Sequence, residues 1–415
     1  MSVRILLIGA RICRNLGGPS LLVTTMKVLD RFFHDAEYTF ISPTSEDLPF
    51  AEAYSIRVIP QISPKRLALP AFLRAFLGIS VGPRDIREMI ETLTQADIII
   101  DIWGICFSDL LGSNTFRVSA CQGFRFLLGK LFRKPVVKYT ADLGPFESKW
   151  NRFFAKLYLQ HAVDMILARS QATQKELAKL GITTPVKICP DTAFLLATST
   201  SEFARDLRKQ RIRGPIIGFS VSHMASKQSR DPKIYVRSMA ALADYALENT
   251  GAQIILIGNE FSSDKLLDDG YIAEEILKNM VSKDKALIAP CDLTAQQLKD
   301  IICQCDVVIA ARYHSIIASL SQGIPVLAVS WHAKYAGVLG IVGQERYVCS
   351  LKSLTLEDDL KDRFDQLWRS RNYIHGAISI AIPQIREAIF EGGNQVSLLL
   401  ASKRTRYCGV AKRSL

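Results

Sequence analysis

The segment Arg312-Tyr313-His314-Ser315 carries the residues best suited to chemistry, and it directly follows the apolar run Asp306–Ala311. That run predicts a buried strand, so the polar residues are expected at its carboxyl end, where the next helix begins. Arg312 supplies a permanent charge for a phosphate or carboxylate. A helix beginning near Ser315 adds free backbone N–H groups and the positive end of its dipole. His314 is the candidate general acid or base, since an imidazole ordinarily titrates at about pH 6.5.

The same spacing also fits a structural role, in which His314 caps a helix and Arg312 pairs with a structural carboxylate. The next turn, Trp331 to Lys334, leaves a similar choice. Lys334 is either a second cation for phosphate or a surface lysine. Trp331 either stacks on a sugar ring or is a half-buried aromatic residue.

A glycine-rich loop, Asn15-Leu16-Gly17-Gly18-Pro19-Ser20, separates the apolar strand Val3–Ile8 from a predicted helix. Such a loop lets an anion approach the backbone. Its spacing is neither the dinucleotide-binding G-x-G-x-x-G nor a Walker loop. We expect Asn15 and Gly17 to face a cleft between two domains.

Strand-like runs alternate with helical periodicity in two series, which predicts parallel sheets covered by helices on both faces. The polar stretch from Thr198 to Gly214 separates the series. The expected architecture is α/β, with two Rossmann-like domains facing each other across a cleft and ligands at the carboxyl ends of the strands. The predicted ranges are 1-205 for an acceptor-side domain, 213-385 for a donor-side domain, and 386-415 for a C-terminal helix and a frayed basic tail.

The composition narrows the class of protein less than the motifs do. A formal net charge of +12 over 415 residues favours anionic partners without choosing among phosphorylated metabolites, nucleic acid and membranes. No nucleic-acid-binding module is recognisable. The nine cysteines form no C-x-x-C pair, which predicts reduced thiols in a cytoplasmic protein and no zinc site. The uncharged stretch Tyr313–Ala333 is broken at Gly323-Ile324-Pro325, so it predicts a helix, a turn and a strand rather than a membrane span.

Four segments together resemble the polysaccharide pyruvyl transferase family. In the strongest, Arg312-x-His314 follows a strand, and a small-residue helix leads to Gly323-x-Pro325, a further strand and Lys334. The other three are the Asn15-Leu-Gly17 loop, Asp142-Leu-Gly144-Pro145, and Asp164 to Ser170 continued by Asp191-Thr-Ala193-Phe194. The resemblance extends from about Ile5 to about Ile389.

The resemblance implies a GT-B-like fold and a ketal-forming transfer of a pyruvyl group from phosphoenolpyruvate to a sugar of a cell-surface or exopolysaccharide precursor. It implies phosphoenolpyruvate as co-substrate, with no metal or redox cofactor. Two positions depart from the family pattern: Gly18 replaces an acidic residue, and His223 lies in a loop where a donor-binding arginine is usual. Carried over by position, the site consists of catalytic His314, the donor-binding residues Arg312, Ser315, Lys334 and His223, and the acceptor-side loop residues Asn15, Gly17, Asp142 and Arg169.

Two other functions remain open from the sequence. One is a nucleotide-sugar glycosyltransferase on the same fold, although no acidic residue that could bind a ribose lies between His314 and Lys334. The other is a non-catalytic glycan-assembly protein. The expected partners are phosphoenolpyruvate and a glycan or lipid-linked sugar acceptor, with no nucleic acid. The expected location is cytoplasmic. Peripheral association with the inner face of the membrane is an option, for which the sequence offers no strong amphipathic anchor.

Overall fold

Short runs of Val, Ile and Leu form two parallel sheets, because strands that are buried on both faces need apolar side chains throughout. The computed structural model describes residues 2–112, 114–211, 214–332, 334–351, 354 and 357–411. The chain divides into two units. The first unit contains the residues up to Cys13, Leu21–Thr192 and the chain from Glu387 onward; the second contains Arg14–Ser20 and Ala193–Arg386.

The first unit contains a parallel sheet in the order β3-β2-β1-β4-β6-β7-β8, with the short β5 paired to β6. Its strands are β1 (Val3–Ile8), β2 (Ala36–Ser42), β3 (Arg57–Pro60), β4 (Ile98–Asp101), β5 (Ile105–Cys106), β6 (Val136–Leu143), β7 (Met165–Ala168) and β8 (Val186–Ile188). The helices of this part of the chain are α1 (Gly17–Asp30), α2 (Pro64–Leu77), α3 (Arg84–Gln95), α4 (Phe116–Leu131), α5 (Lys149–His161) and α6 (Gln171–Lys179).

The second unit repeats the arrangement, with a parallel sheet in the order β11-β10-β9-β12-β13-β14. Its strands are β9 (Ile216–Ser220), β10 (Gln253–Ile257), β11 (Ala286–Ile288), β12 (Val307–Ala310), β13 (Val326–Ser330) and β14 (Val348–Ser350). The remaining helices are α7 (Glu202–Arg211), α8 (His223–Gln228), α9 (Pro232–Thr250), α10 (Asp269–Asn279), α11 (Ala295–Ile302), α12 (Tyr313–Leu320), α13 (Lys334–Gly340) and α14 (Glu357–Ala411).

Strand order reverses once in each sheet, between β1 and β4 and between β9 and β12. Loops that leave two such strands diverge, which opens a crevice at the carboxyl edge where ligands bind in this class of fold. The first crevice is flanked by Gly9 and Trp103, and the second by Ser222 and Arg312. Each unit therefore has one crevice in which the functional residues predicted from the sequence could form a site.

The sequence-based domain ranges differ from the observed division in three places. Residues 14–20 belong to the second unit, and the boundary follows Thr192 rather than residue 205. The chain from Glu387 onward belongs to the first unit instead of forming a separate piece. The polar stretch expected to separate the domains contains helix α7, and its residues 212 and 213 lie outside the described residues.

The frayed tail predicted at the end of the range 386-415 is helical in the described residues. Helix α14 continues to Ala411, where Lys403 Nζ lies 2.7 Å from Asp164 Oδ1 and Arg404 Nη2 lies 3.0 Å from Asp97 Oδ1. Burial by itself raises the pKa of Asp164, but Lys403 and the backbone N–H of Val136 outweigh it and lower the pKa. Two ion pairs thus connect this part of the helix to the first unit, and residues 412–415 lie outside the described range. Within the part of the chain that the structure describes, none of the helices has the length and hydropathy needed to cross a membrane.

Candidate active site

Arg312 lies at the carboxyl end of β12 and is the N-cap residue of α12, with an extended backbone. Its guanidinium is 12% exposed and engages two carboxylates. Nε donates to Asp269 Oδ2 at 2.7 Å, Nη2 contacts the other oxygen of Asp269, and Nη1 donates to Glu260 Oε2 at 2.8 Å. Burial by itself lowers the pKa of Arg312, but Asp269 and Glu260 outweigh it and raise the pKa further above its ordinary value.

Asp269 is fully buried at the first position of α10 and joins three loops at the carboxyl edge of the sheet. It accepts backbone N–H groups from His223 at 2.9 Å, and from Asn259 and Glu260 at 3.0 Å each. Burial by itself raises the pKa of Asp269, but the charge of Arg312 and these hydrogen bonds outweigh it and lower the pKa. The Arg312–Asp269 pair therefore fixes the loops after β9, β10 and β12 relative to one another.

His223, predicted from the resemblance to bind the donor, is brought into this same cluster. It begins α8 directly after the N-cap Ser222, and it is 4% exposed. Its Nδ1 lies 3.0 Å from Asp269 Oδ1 and 2.8 Å from Arg312 Nη2. The structure thus joins two of the predicted donor-side residues through a carboxylate that the sequence analysis did not identify.

Ser315 is completely buried, and its hydroxyl forms hydrogen bonds within the second unit. Its Oγ accepts a hydrogen bond from Asn259 Nδ2 at 2.6 Å and lies 2.7 Å from Ser220 Oγ. These bonds tie α12 to the end of β9 and to the loop after β10. A direct contact between this hydroxyl and a donor remains a prediction.

His314 lies in the first turn of α12 and packs against the glycine-rich loop near the amino terminus. A Cβ added to Gly17 would come within 2.9 Å of His314 Cγ and closer still to Nδ1. Asn15 Oδ1 accepts the N–H of Gly17 at 2.9 Å, and Leu16 N–H donates to Asn259 O at 3.0 Å. The structure therefore groups Asn15 and Gly17, expected on acceptor-side loops, with the second unit beside the catalytic candidate.

A small cavity of about 20 Å³ adjoins His314, and one of its lining residues, Lys299, was missed by the sequence analysis. Its polar lining includes Asn259, Lys299 and Ser20. Lys299 is 2% exposed, and its Nζ donates to Leu196 O at 2.7 Å. On an amphipathic helix such as α11, a lysine resembles a solvated surface residue, so its burial could not be predicted from local sequence.

Lys334 begins α13 and lies among aromatic rings. Its Nζ is 4.8 Å from the ring centroid of Trp331, 5.1 Å from that of Tyr313 and 5.6 Å from that of Tyr335, within the range of cation–π attraction. The backbone N–H of Lys334 donates to His332 Nδ1 at 3.2 Å. Burial and then the charge of Lys334 lower the pKa of His332 to about 3, so that imidazole is neutral near pH 7.

Asp142 and Arg169, both expected on acceptor-side loops, are buried in the first unit. Arg169 Nη2 lies 2.7 Å from Asp191 Oδ2, and Nη1 lies 3.5 Å from Asp142 Oδ2. The guanidinium presses on Gly104, where a Cβ would meet Nη2 at 2.5 Å. In this structure the paired guanidinium packs against the loop after β4 at Gly104. Direct contact of Asp142 or Arg169 with an acceptor remains a prediction.

The loop after β4 forms one wall of a cavity of about 610 Å³ at the carboxyl edge of the first sheet. Trp103 is 40% exposed there, and its backbone N–H donates to Asp101 Oδ1 at 3.0 Å. The guanidinium of Arg125 lies 4.8 Å from the Trp103 ring centroid and pairs with Asp101. The volume is in the range of small-molecule sites, and an exposed indole with nearby polar groups suits a sugar.

Besides Lys299, sequence reasoning missed Asp269, Glu260 and Asn259, which contact Arg312 and Ser315 in the second unit. A usable signal existed, since Asn259 and Glu260 follow the apolar strand β10 just as Arg312 follows β12. Asp269 gave no such signal, because it follows a polar loop. Among the residues the structure describes, no group of three or more His, Cys, Asp or Glu is arranged to hold a metal ion.

Comparison with known proteins decides the family. The family model for polysaccharide pyruvyl transferase matches residues 15–333. This chain belongs to the polysaccharide pyruvyl transferase family. The transferase is 25% identical over 382 residues to the amylovoran biosynthesis protein AmsJ of Erwinia amylovora, covering 85% of this chain and 89% of AmsJ. The family predicted from the four motif segments is confirmed, and with it the assignment to polysaccharide pyruvyl transfer.

Solved structures similar to this pyruvyl transferase agree on the fold. Anabaena HepE, solved with UDP-glucose, has a TM-score of 0.59 at 13% identity, covering 95% of this chain and 99% of HepE. The UDP-GlcNAc 2-epimerase of Neisseria meningitidis, bound to UDP-GlcNAc, has a TM-score of 0.58 at 10% identity, covering 96% of this chain and all of the epimerase (100%). The prediction of a GT-B-like fold with two parallel-sheet α/β domains is confirmed.

Proposed function

We propose that this transferase moves the pyruvyl group of phosphoenolpyruvate onto two hydroxyls of one sugar in a polysaccharide precursor, with His314 as the proton-transfer group. The observation that carries the proposal is the position of His314. Its imidazole lies in the first turn of α12, at the point where the strand order reverses, against the backbone of Gly17. This is where an α/β domain holds its ligand.

The reaction needs a proton moved from oxygen to carbon. Protonation of the methylene carbon of phosphoenolpyruvate leaves a cation at C2, and a sugar hydroxyl bonds to C2 as it loses its own proton. A second hydroxyl of the same sugar then attacks C2, the C2–O bond to phosphate breaks, and phosphate leaves with the second proton. Protonated His314 gives its proton to the methylene carbon and then takes the proton of the first hydroxyl as it attacks C2, so His314 ends as it began and the atoms and charges balance.

The donor carries a phosphate and a carboxylate, and its charge needs cations and N–H groups. Helix α12 offers its amino-terminal backbone N–H groups, and Lys334 begins the next helix, α13, after β13. Arg312 is held by Asp269 on one side, so an anion reaches it at Nη1, where Glu260 is 27% exposed. We place one donor anion at Nη1, in exchange for the Glu260 carboxylate.

The acceptor sugar is proposed to bind in the Trp103 cavity of the first unit, where its apolar face would stack on the indole. Trp103→Ala should raise the KM for acceptor by about fivefold or more and leave the KM for phosphoenolpyruvate unchanged, because stacking contributes about 1 kcal/mol or more. Trp103→Phe should recover much of the loss. Equal effects on both KM values would remove the cavity from acceptor binding.

The deciding assay measures phosphate released from phosphoenolpyruvate in the presence of mixed oligosaccharides from bacterial exopolysaccharides. His314→Gln should lower kcat by about 10²–10⁴-fold, the usual contribution of acid–base catalysis. The thermal unfolding midpoint should stay unchanged. His34→Gln, at an exposed histidine, is the matched control. Full turnover by His314→Gln would exclude His314 from the mechanism, whereas release of nucleoside diphosphate from a nucleotide sugar would favour a glycosyltransferase.

A further inference from the structure

Three neighbouring helices of the first unit carry basic residues and no acidic ones. Helices α2, α4 and α5 each contain three Lys or Arg and no Asp or Glu. Helix α4 packs against both α2 and α5. Across the second contact, the Phe116 and Trp150 rings meet edge to face at 5.0 Å, and Tyr158 Oη donates to Ala120 O at 2.8 Å. These helices form one surface, which we call the basic-apolar face. Its basic residues are Lys65, Arg66, Arg74, Arg117, Arg125, Lys130, Lys149, Arg152 and Lys156.

Large apolar side chains point outward on α5. Trp150 is 37% exposed, Phe153 56% and Leu157 39%. The exposed Lys149, Arg152 and Lys156 alternate with them along the same side of the helix, while the opposite side packs into the core. This helix therefore has an apolar inner side and a mixed apolar and basic outer side.

The other two helices extend the same pattern. On α2, Leu69 is 66% exposed and Phe76 66%, and the rings of Phe72 and Phe76 lie 4.6 Å apart. On α4, Phe116 is 54% exposed. Apolar side chains gathered this densely are uncommon on a surface that meets only water, and they mark an interaction site. The remaining exposed apolar residues of this face are Phe72, Leu77, Ile79, Val118 and Leu127.

The chemistry of this face identifies its occupant. Lys and Arg interleaved with Trp, Phe and Leu are typical of helices that lie in the interface of a bilayer. The long aliphatic side chains, such as Leu69 and Leu157, suit acyl chains rather than the stacked bases of a nucleic acid. Arg66, Arg125 and Lys130 pair with carboxylates of the same unit, so the attraction to anionic lipid comes mainly from the other six basic residues of the face.

We propose that the basic-apolar face docks on the surface of an anionic membrane. Arg117, Val118 and Cys121 of α4 are exposed and also line the Trp103 cavity, so docking would bring the mouth of that cavity to the lipid surface. An acceptor sugar linked to a membrane lipid would then be within reach of the cavity. This use of the surface rests on the proposed function, whereas the docking itself does not.

The test is flotation of the purified full chain with vesicles of phosphatidylcholine alone or mixed with phosphatidylglycerol. The wild-type chain should float with the mixed vesicles, less with phosphatidylcholine alone, and less again at high salt. A triple variant, Trp150→Ser, Phe153→Ser and Leu157→Ser, should weaken binding to mixed vesicles by at least about tenfold. A second triple variant, Lys149→Gln, Arg152→Gln and Lys156→Gln, should weaken binding to a similar extent. It keeps the apolar surface, so the test remains valid if the first variant misfolds.

The matched controls lie elsewhere on the surface. Leu266→Ser and Val281→Ser, at 77% and 87% exposure, should leave vesicle binding unchanged. Phosphate release with soluble oligosaccharides should be unaffected in both triple variants, which separates a failure of docking from a failure of the proposed function. Failure of the wild-type chain to float, or equal flotation of all variants, would overturn the proposal. The proposal would also be overturned if the wild-type chain formed oligomers without binding vesicles and the triple variants were monomeric, because the face would then be a protein contact.

Discussion

The backbone of Gly17 lies directly against the imidazole ring of His314, where any larger residue would overlap the ring. The contact joins the first residue of α1 to the first turn of α12. Glycine is thus required at this position by proximity to the catalytic candidate rather than by its backbone angles. The motif residue Gly17 and the motif residue His314 belong to one site.

Gly17→Ala is therefore expected to displace His314. The overlap should cost about 1–3 kcal/mol of unfolding free energy and reduce kcat by about 10–100-fold, since small displacements of a reacting group cost large factors in rate. Gly376→Ala in α14 is the control, because a Cβ there meets no neighbouring atom. That variant should be neutral or more stable by about 0.5–1 kcal/mol. Unchanged kcat in Gly17→Ala would show that the contact does not matter for catalysis.

In the proposed mechanism, the Glu260 carboxylate competes with the donor anion for Arg312. If a donor anion displaces the Glu260 carboxylate from Nη1, Glu260→Gln should lower the KM for phosphoenolpyruvate by about fivefold, because a neutral amide competes less well for the guanidinium. Glu275→Gln is the matched control, since Glu275 is 31% exposed and pairs with Lys278 in the same unit. A higher KM in Glu260→Gln would mean that Glu260 only holds Arg312 in place.

Asp269 should make a large and pH-dependent contribution to stability. Asp269→Asn should lower the free energy of unfolding at pH 7 by about 3–5 kcal/mol, because it leaves Arg312 buried without its charge partner. The folded-state pKa of Asp269 lies below its ordinary value of 3.8, so the contribution is complete above that value. It is lost as pH falls from 3.8 through the folded-state pKa.

Urea unfolding at pH values from 7 down to 3 tests this dependence. The difference between wild type and Asp269→Asn should be constant at the upper end and should shrink at the acid end. Asp206→Asn changes an exposed carboxylate paired with Lys209, and its curve should run parallel to the wild type within about 0.5 kcal/mol. A constant difference across the whole range would contradict the lowered pKa of Asp269.

Cys121 offers a chemical probe of the Trp103 cavity. It is exposed and lines the cavity, whereas burial raises the pKa of Cys303 to about 11 and, with Asp47 contributing, that of Cys13 to about 12. Maleimide at neutral pH should therefore modify Cys121 quickly and raise the KM for acceptor by about tenfold. Cys121→Ser should abolish the effect, and Cys291→Ser, at another exposed cysteine, should not. Modification that leaves acceptor kinetics unchanged would argue against acceptor binding in this cavity.

The long-range partners of the site could not have been predicted from the sequence. Arg312 was identified because it follows a strand, and the end of a parallel strand is a local property of the chain. Its pairing with Asp269 depends on how β10 and β12 lie in the sheet, which local patterns do not encode. The structure contains the structural alternative, in which Arg312 pairs with a carboxylate. Its buried partner is Asp269, and its second partner, Glu260, is partly exposed.

The outward-facing residues of α5 illustrate the same limit. Phe154 and Tyr158 are buried while Phe153 and Leu157 are exposed, so aromatic and aliphatic residues lie on both sides of the helix and the sequence shows no single apolar side. No amphipathic anchor was visible for that reason. Exposure depends on which neighbours cover each side, and only the packed unit decides it.

The sequence by itself determined the two parallel sheets, the family and the position of His314 at a strand end, because apolar periodicity and short motifs are local. Tertiary structure alone decided that Gly17 meets His314, that Asp269 holds Arg312 and His223, and that Lys299 is buried. Each of these contacts joins residues from distant parts of the chain, and their geometry follows from strand order and packing rather than from local composition.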